Sequence, residues 1–433
     1  MIAPDPNRRM SSHSYSALLG KMLSFALGPC LICLTFTFQN FAQAPEKKIA
    51  ELPTPTGTYG VGRISLHWID ESRLENLSQD PKAHRELMVH VFYPTDHRIG
   101  RPLAPYFLNI ELVRQYEEQH FGKDFMREEY GEAYDSIFGT RTHTVANAAL
   151  SNQHRKYPVV VFQPGLGIKV FLYTAIIEDL ASHGFVVVAV EPPYETSVVV
   201  FPNGRVIEEH DNWGNLYMKG SPSESARFHL GRIDVNSADN SFVLSQLEKL
   251  NSGRVPSSRP NFKGRLDVQH AGAFGHSQGG LAARRSCQQD IRWKGCIDLG
   301  GGLNEKETEE MDDNVIPTPF MLMTPTMKNP KLVNQDDALF RNAHSRSYKV
   351  SVDAPGFGHF IYTDFDLPGS KMESGRNGLS PSDRQRSKQI IRRYVLSFFA
   401  CSILGHQWSL LENLSKEYPE VTLRKFGNSS SKE

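Results

Sequence analysis

Residues 157–193 constrain the fold more than any other stretch of this chain. "YPVVVFQPGLG" is a short apolar run that ends in a glycine-rich loop. "FLYTAIIEDLASHG" follows, with Ile176 and Leu180, and Ile177 and Ala181, at helical spacing, and with Gly184 as the stop. "FVVVAVEPP" is then a continuous β-branched run, the kind buried on both faces of a parallel sheet. Strand, helix, strand in this rhythm is a βαβ unit.

The same rhythm continues downstream. Residues 232–250 ("RIDVNSADNSFVLSQLEKL") place Val243, Leu247 and Leu250 on one helical stripe. "DVQHAGAF" reads as a strand, "GGLAARRSCQQ" as a helix, "GCIDLGGGL" as a strand and loop. "TPFMLMTP" and "SYKVSV" are two more strands, and "RQRSKQIIRRYVLSFFACSIL" is a closing amphipathic helix. Upstream, "RELMVHVFYPT" alternates, with Leu87, Val89, Val91 and Tyr93 on one side, which predicts antiparallel strands at one sheet edge. Residues 109–135 are helical in propensity and densely charged, so they read as solvated helices over the sheet. Residues 201–230 are polar and rich in turn formers, either a lid or a surface loop. The whole is an α/β fold, a mostly parallel doubly wound sheet with an antiparallel N-terminal edge, in a domain spanning residues 45–433. Its core covers about residues 50–405, before a polar C-terminal tail.

Composition removes some functions. Apolar residues make up 39% of the 433, enough for a sizeable core. Basic and acidic residues number 48 each, so no global field draws in nucleic acid or an acidic membrane. No basic stripe or RNA-binding signature is present.

The N-terminus reads as an export signal, residues 1–44. Arg8, Arg9 and Lys21 precede an uncharged stretch from Met22 to Pro45, and Ala42-Gln43-Ala44 has the small-x-small cleavage pattern. Pro45 disfavours cleavage there, so two readings stand, a signal peptide or an uncleaved anchor. Both place the domain outside the cytoplasm, secreted or periplasmic, with membrane contact only through this segment. Cys30 and Cys33 lie in it. An oxidising compartment permits Cys287 and Cys296 to pair, and buried thiols are an equal alternative. No cysteine has zinc-ligand spacing and the histidines are scattered, so no metal is expected.

The chemistry centres on Gly275-His276-Ser277-Gln278-Gly279. The bare pattern is weak, but here a strand precedes it and a helix follows, the context of a nucleophile elbow. A β-carbon at Gly275 or Gly279 would collide in so sharp a turn, which holds the serine strained and exposed at a helix N-terminus. A neutral serine needs a base. Of the downstream histidines, His344 falls in an expected helix and His406 after the closing helix. His359, in the loop "APGFGHF" after a strand, is free to turn back towards Ser277. His276 takes a packing or hydrogen-bonding role. The imidazole needs a carboxylate. Asp298 ends the strand after the nucleophile helix and is preferred over Asp336, Asp337 and Asp353. The oxyanion needs two donors, the backbone N–H of Gln278 and that of Leu166 in "QPGLG".

These stretches resemble the plasma-type (isoform II) platelet-activating factor acetylhydrolase family and its bacterial esterase relatives. The likeness runs through "PTGTYGVG", "VFYPT", "YPVVVFQPGLG", "LASHGFVVVAVE", "RIDV", "GHSQGG", "CIDLGG" and "GFGHFIYTDF". It implies an α/β-hydrolase fold, Ser277 as nucleophile, Asp298 and His359 as its partners, and Leu166 with Gln278 as oxyanion donors. One departure is Pro164, where the family usually has a histidine before the glycine. A second is the charge of residues 109–135, which argues against the apolar docking faces of lipoprotein-bound members. The implied function is a serine carboxylic-ester hydrolase without cofactor, acting on short or oxidised acyl esters, phospholipids included. The alternatives are a broad or cutinase-like polyester hydrolase and an inactive fold used for binding. The intact serine, acid and base count against the last.

Overall fold

Among the described residues eleven strands form one sheet, in the order β13 (Val421–Phe426), β12 (Ser347–Val352), β11 (Phe320–Pro325), β10 (Trp293–Leu299), β9 (Leu266–His276), β5 (Tyr157–Gln163), β6 (Val186–Glu191), β2 (His84–Thr95), β1 (Gly60–Leu74), β4 (Arg141–Ala146), β3 (Leu103–Pro105). The computed structural model describes residues 52–96, 102–122, 139–210, 221–255, 260–311, 315–364 and 380–427. The expected export signal, residues 123–135, residues 211–220 of the possible lid and the last six residues lie outside the described set.

The centre of the sheet is parallel. It comprises β5 (Tyr157–Gln163), β6 (Val186–Glu191), β9 (Leu266–His276), β10 (Trp293–Leu299), β11 (Phe320–Pro325) and β12 (Ser347–Val352). β1 (Gly60–Leu74) and β2 (His84–Thr95) make a long antiparallel pair, and β2 joins the centre antiparallel to β6. β3 (Leu103–Pro105) and β4 (Arg141–Ala146) finish that edge. A separate two-stranded ribbon pairs β7 (Val198–Val200), just before the segment read as polar loop, with β8 (Val206–Glu208) inside it.

Period-2 alternation places each central strand in two cores at once. Val160 and Phe162 of β5, Val187 and Ala189 of β6 and Phe274 of β9 face one core. Val159 and Val161, Val186 and Val188, and Ala271 and Ala273 of the same strands face the other. All eleven are fully buried, which explains why "FVVVAVE" has no polar face. The first core is closed by α2 (Thr174–Ser182) and α7 (Pro381–Ser402), the second by α3 (Pro222–Ser252) and α4 (Gln278–Gln289). Truncating Phe274 to alanine would cost about 3–5 kcal/mol.

Some boundaries differ from the expectation. α3 starts ten residues earlier, at Pro222, because Ser221 and Glu224 form a reciprocal capping box with proline at the first turn. The charged segment from residue 109 forms α1 (Ile110–Phe121), which sends Val113 and Tyr116 into the core. The sheet also continues past residue 405: β13 (Val421–Phe426) pairs antiparallel with β12 and closes the far edge. Two further helices, α5 (Glu305–Glu310) and α6 (Pro330–Ala338), lie between α4 and α7 in sequence. Cys287 and Cys296 are disulfide-bonded, and Cys401 is a buried free thiol.

Candidate active site

The elbow forms where β9 stops and α4 starts. Ser277 sits between them at φ 55° and ψ −123°, backbone strain of about 1–3 kcal/mol for a residue with a β-carbon. Its surroundings hold it there. The Ser277 N–H donates to Leu299 O at 3.0 Å, and Ser277 O accepts from Gly280 N–H and Leu281 N–H. The flanking glycines are obligatory. A β-carbon on Gly275 would lie 2.3 Å from the Gly279 backbone, and one on Gly279 would lie 2.3 Å from Gln163 O.

The expected base comes from the loop after β12. His359 Nε2 lies 3.1 Å from Ser277 Oγ. Burial lowers the imidazole pKa below its ordinary 6.5, which favours the neutral form able to accept a proton.

Behind this pair runs an ordered relay. Gly165 N–H donates to the Tyr173 oxygen at 3.1 Å. Tyr173 Oη is 2.8 Å from His276 Nδ1, and His276 Nε2 is 2.8 Å from the His359 carbonyl. A carbonyl only accepts, so His276 Nε2 carries the proton and Nδ1 accepts from the phenol. Burial first, and the neighbouring His359 second, push the His276 pKa down to about 3, so this tautomer is neutral. The relay ties the glycine loop at one end to the backbone of the base at the other.

The loop itself, residues 164–167, packs against the elbow: a β-carbon on Gly165 would stand 3.3 Å from Ser277 Cβ. Gly167 N–H is taken by Glu195 O at 2.8 Å and Gly165 N–H by Tyr173. Among the described residues, the Leu166 N–H between them has no hydrogen-bond partner. Gln278, at the first turn of α4, fixes its side chain instead: its Nε2 donates to Glu195 Oε2 at 2.9 Å and to Asn236 Oδ1 at 3.1 Å.

The expected acid is placed differently. Asp298 ends β10, fully buried, with Gly280 and Gly301 closing over it; a β-carbon on either would come within 2.4 Å of its carboxylate. Oδ1 accepts from Gly301 N–H at 2.7 Å, while Oδ2 has no partner. Burial raises its pKa to about 8, with Asp336 adding to the rise. So the serine and histidine meet, while the carboxyl stands behind them without a hydrogen bond to the imidazole. The rival acids are engaged elsewhere: Asp336 and Asp337 with Lys349, and Asp337 also with Arg424. His344 N–H and His406 N–H bond to backbone carbonyls in other parts of the fold.

The hydrogen-bonding role expected of His276 is met, but its partner Tyr173 and the ties from Glu195 and Asn236 to Gln278 are not marked in the sequence. A cavity of about 280 Å³, lined by Met88, His90, Leu112, Phe171, Glu191 and Phe201 among others, includes none of the five site residues. Among the described residues, no cluster of three or more histidine, cysteine or acidic side chains could hold a metal ion.

The family model for platelet-activating factor acetylhydrolase, isoform II, matches residues 44–372. The chain belongs to that family. A probable 1-alkyl-2-acetylglycerophosphocholine esterase of Arthroderma benhamiae is 26% identical over 393 residues, covering 86% of this chain and 92% of the relative. The platelet-activating factor acetylhydrolase of Bos taurus is 24% identical over 262 residues, 57% of this chain and 54% of its own. Among solved structures, a ferulic acid esterase from Streptomyces cinnamoneus superposes with a TM-score of 0.67 at 27% identity, over 86% of this chain and 99% of that one. This member of the acetylhydrolase family has the α/β-hydrolase fold and is a serine carboxylic-ester hydrolase, with a small-molecule or lipid ester as substrate. Among the described residues, no helix is long and apolar enough to cross a membrane.

Proposed function

We propose that Ser277 is the nucleophile of this esterase, His359 its general base and then acid, Asp298 the carboxylate behind the imidazole, and Leu166 and Gln278 the oxyanion donors. The observation that carries the reading is the 3.1 Å approach of His359 Nε2 to a serine hydroxyl on a strained elbow. Ser277 Oγ attacks the ester carbonyl and its proton passes to Nε2. The carbonyl oxygen becomes an oxyanion facing the N–H groups of Leu166 and Gln278, the second aided by the α4 dipole. The intermediate collapses, the ester bond breaks, and the alcohol leaves with the proton from the imidazolium. Water repeats the sequence through the same base and frees the acid. A positive charge on His359 is the natural partner for Asp298, whose Oδ2 is otherwise an uncompensated buried acceptor.

The substrate we infer is an ester with a short or oxidised acyl group, carried on a phospholipid. The names of the Arthroderma and Bos taurus relatives support it. A broader esterase is the second reading, favoured by the ferulic acid esterase, nearly all of whose chain superposes here. Export through residues 1–44 is part of the proposal, and the Cys287–Cys296 bond suits an oxidising compartment.

An organophosphate probe should label one residue, Ser277, and Ser277→Ala should abolish both label and turnover; an unlabelled but folded wild-type enzyme would remove the assignment. Rates on p-nitrophenyl esters of increasing chain length, set beside a phospholipid with a short second acyl chain and a feruloyl ester, separate the two substrate readings.

A further inference from the structure

Behind the site lies a buried ionic cluster that the chemistry above does not use. Glu195, Arg85, Arg232 and Asp239 are each at most 5% exposed. Arg85 Nη2 bridges Asp239 Oδ2 at 2.7 Å and Glu195 Oε1 at 3.2 Å, and Arg232 also bonds Glu195 Oε1. Burial works against the charge on Arg85, but the carboxylates of Asp239, Glu75 and Glu195 outweigh it and hold the guanidinium charged. Buried ion clusters of this kind are seldom more stable than apolar packing of the same volume, so stability does not explain one.

Its geometry does. A carboxylate between two guanidiniums would ordinarily give both oxygens to them. Glu195 gives them only Oε1 and turns Oε2 to the neutral amide of Gln278, at 2.9 Å. Its backbone carbonyl meanwhile accepts the Gly167 N–H at 2.8 Å, and Thr196 bridges to Gly167 as an isolated β-pair. The residue before it, Tyr194, holds a left-handed φ of 65°, strain the segment sustains to present Glu195 this way. One residue therefore grips both halves of the oxyanion site, the loop that carries Leu166 and the side chain of Gln278.

We propose that Glu195 is a positioning residue for ester hydrolysis, fixing the Leu166 and Gln278 N–H groups at one spacing while the arginine cluster immobilises its carboxylate. The proposal rests on the reading of Leu166 and Gln278 as the oxyanion donors. Donor placement matters most where negative charge develops, so loss of the grip acts on the tetrahedral state and spares substrate binding.

The test uses the full-length enzyme and three variants, Gln278→Met, Glu195→Gln and their double. Gln278→Met deletes the gripped amide and keeps the backbone N–H; Glu195→Gln keeps the shape and the backbone carbonyl. Active sites are titrated by organophosphate labelling, so a loss of folding stability alone changes the amount of enzyme and not the rate per site. Each single variant should lower kcat per site about tenfold and weaken an alkyl boronic acid, which forms a tetrahedral adduct with the serine, by a similar factor, with KM within about twofold. The double variant should be no worse than the poorer single. Unchanged kcat and boronate affinity in both singles, or effects that multiply in the double, overturn the role of Glu195. If the label maps to a residue other than Ser277 in the wild type, the site reading beneath it fails instead; a label on Ser277 with neutral variants confines the failure to Glu195.

Discussion

The two flanks of Ser277 are built to different standards. On the loop flank Tyr173, His276 and Glu195 tie the loop and the Gln278 side chain through a connected set of hydrogen bonds, with the Leu166 N–H and Gln163 Oε1 left unpaired among the described residues. On the acid flank, Asp298 is held by a single N–H and keeps an unpaired oxygen in a site where burial raises its pKa to about 8. The difference teaches which part is set before the substrate arrives. The loop and the Gln278 side chain are tied in the resting fold, whereas burial favours the protonated Asp298 carboxyl until a positive charge on His359 favours its ionised form, the proton leaving to solvent.

The sharpest way to break that contrast is Asp298→Asn. Its kcat should fall about 10³- to 10⁴-fold. Stability should move the opposite way with pH. Between its ordinary 3.8 and about 8, the folded carboxyl keeps a proton that the unfolded chain releases, so wild-type stability falls as pH rises through that window. Denaturant melts should therefore show Asp298→Asn gaining on wild type from pH 4 to 8; a gap that does not change with pH would mean that the resting carboxyl is ionised.

On the other flank, Tyr173→Phe removes the phenol that takes Gly165 N–H and donates to His276. A kcat loss of about 10- to 100-fold with little change in KM is expected from steady-state kinetics, because the loop and base keep their contacts but lose their register. Equal losses in kcat and 1/KM would place the phenol in substrate binding instead.

The pH–rate profile sharpens the comparison further. His359 must be neutral to accept the serine proton, and burial lowers its pKa, so kcat/KM should hold down to a limb below pH 6.5. A limb above 6.5 would show an ionised Asp298 already paired with the imidazole in the free enzyme. Titration of His276 should show in stability and not in the pH–rate profile. The fold refuses a proton there from 6.5 down to about 3, so this residue should cost about 1.4 kcal/mol of stability per pH unit as pH falls through that window. His276→Gln should flatten that part of a stability–pH curve. The smallest effect on catalysis belongs to the Cys287–Cys296 bond, which ties the last turn of α4 to β10. Replacing both cysteines with alanine should cost about 2–3 kcal/mol in a urea melt and leave kcat within about twofold.

How far the sequence could be read follows from the range of the interactions. The parallel strands were legible because burial on both faces leaves an unbroken apolar run, as in residues 185–190. The elbow was legible because its glycine-serine-glycine pattern falls within five residues between a strand and a helix, although the collision that demands Gly279 is with the distant Gln163. His359 could be reached by chain order and loop glycines. Asp298 could be placed at its strand end, but the missing bond to His359 could not, since it depends on how Gly301 and Tyr362 pack around it. The Glu195–Gln278 and Tyr173–His276 contacts span 83 and 103 residues, and polar pairs that distant leave no periodic trace. β13 was read as tail because "VTLRKF" is half polar, as an edge strand can be.

The central claim, that Ser277 and His359 act as one unit, is tested most directly by a double-mutant cycle on kcat/KM for a p-nitrophenyl ester. Ser277→Ala and His359→Ala should each cost about 10⁴-fold or more, with the double variant no worse than the poorer single. Retention of more than about a tenth of wild-type activity by either single variant, or losses that multiply in the double, would contradict it.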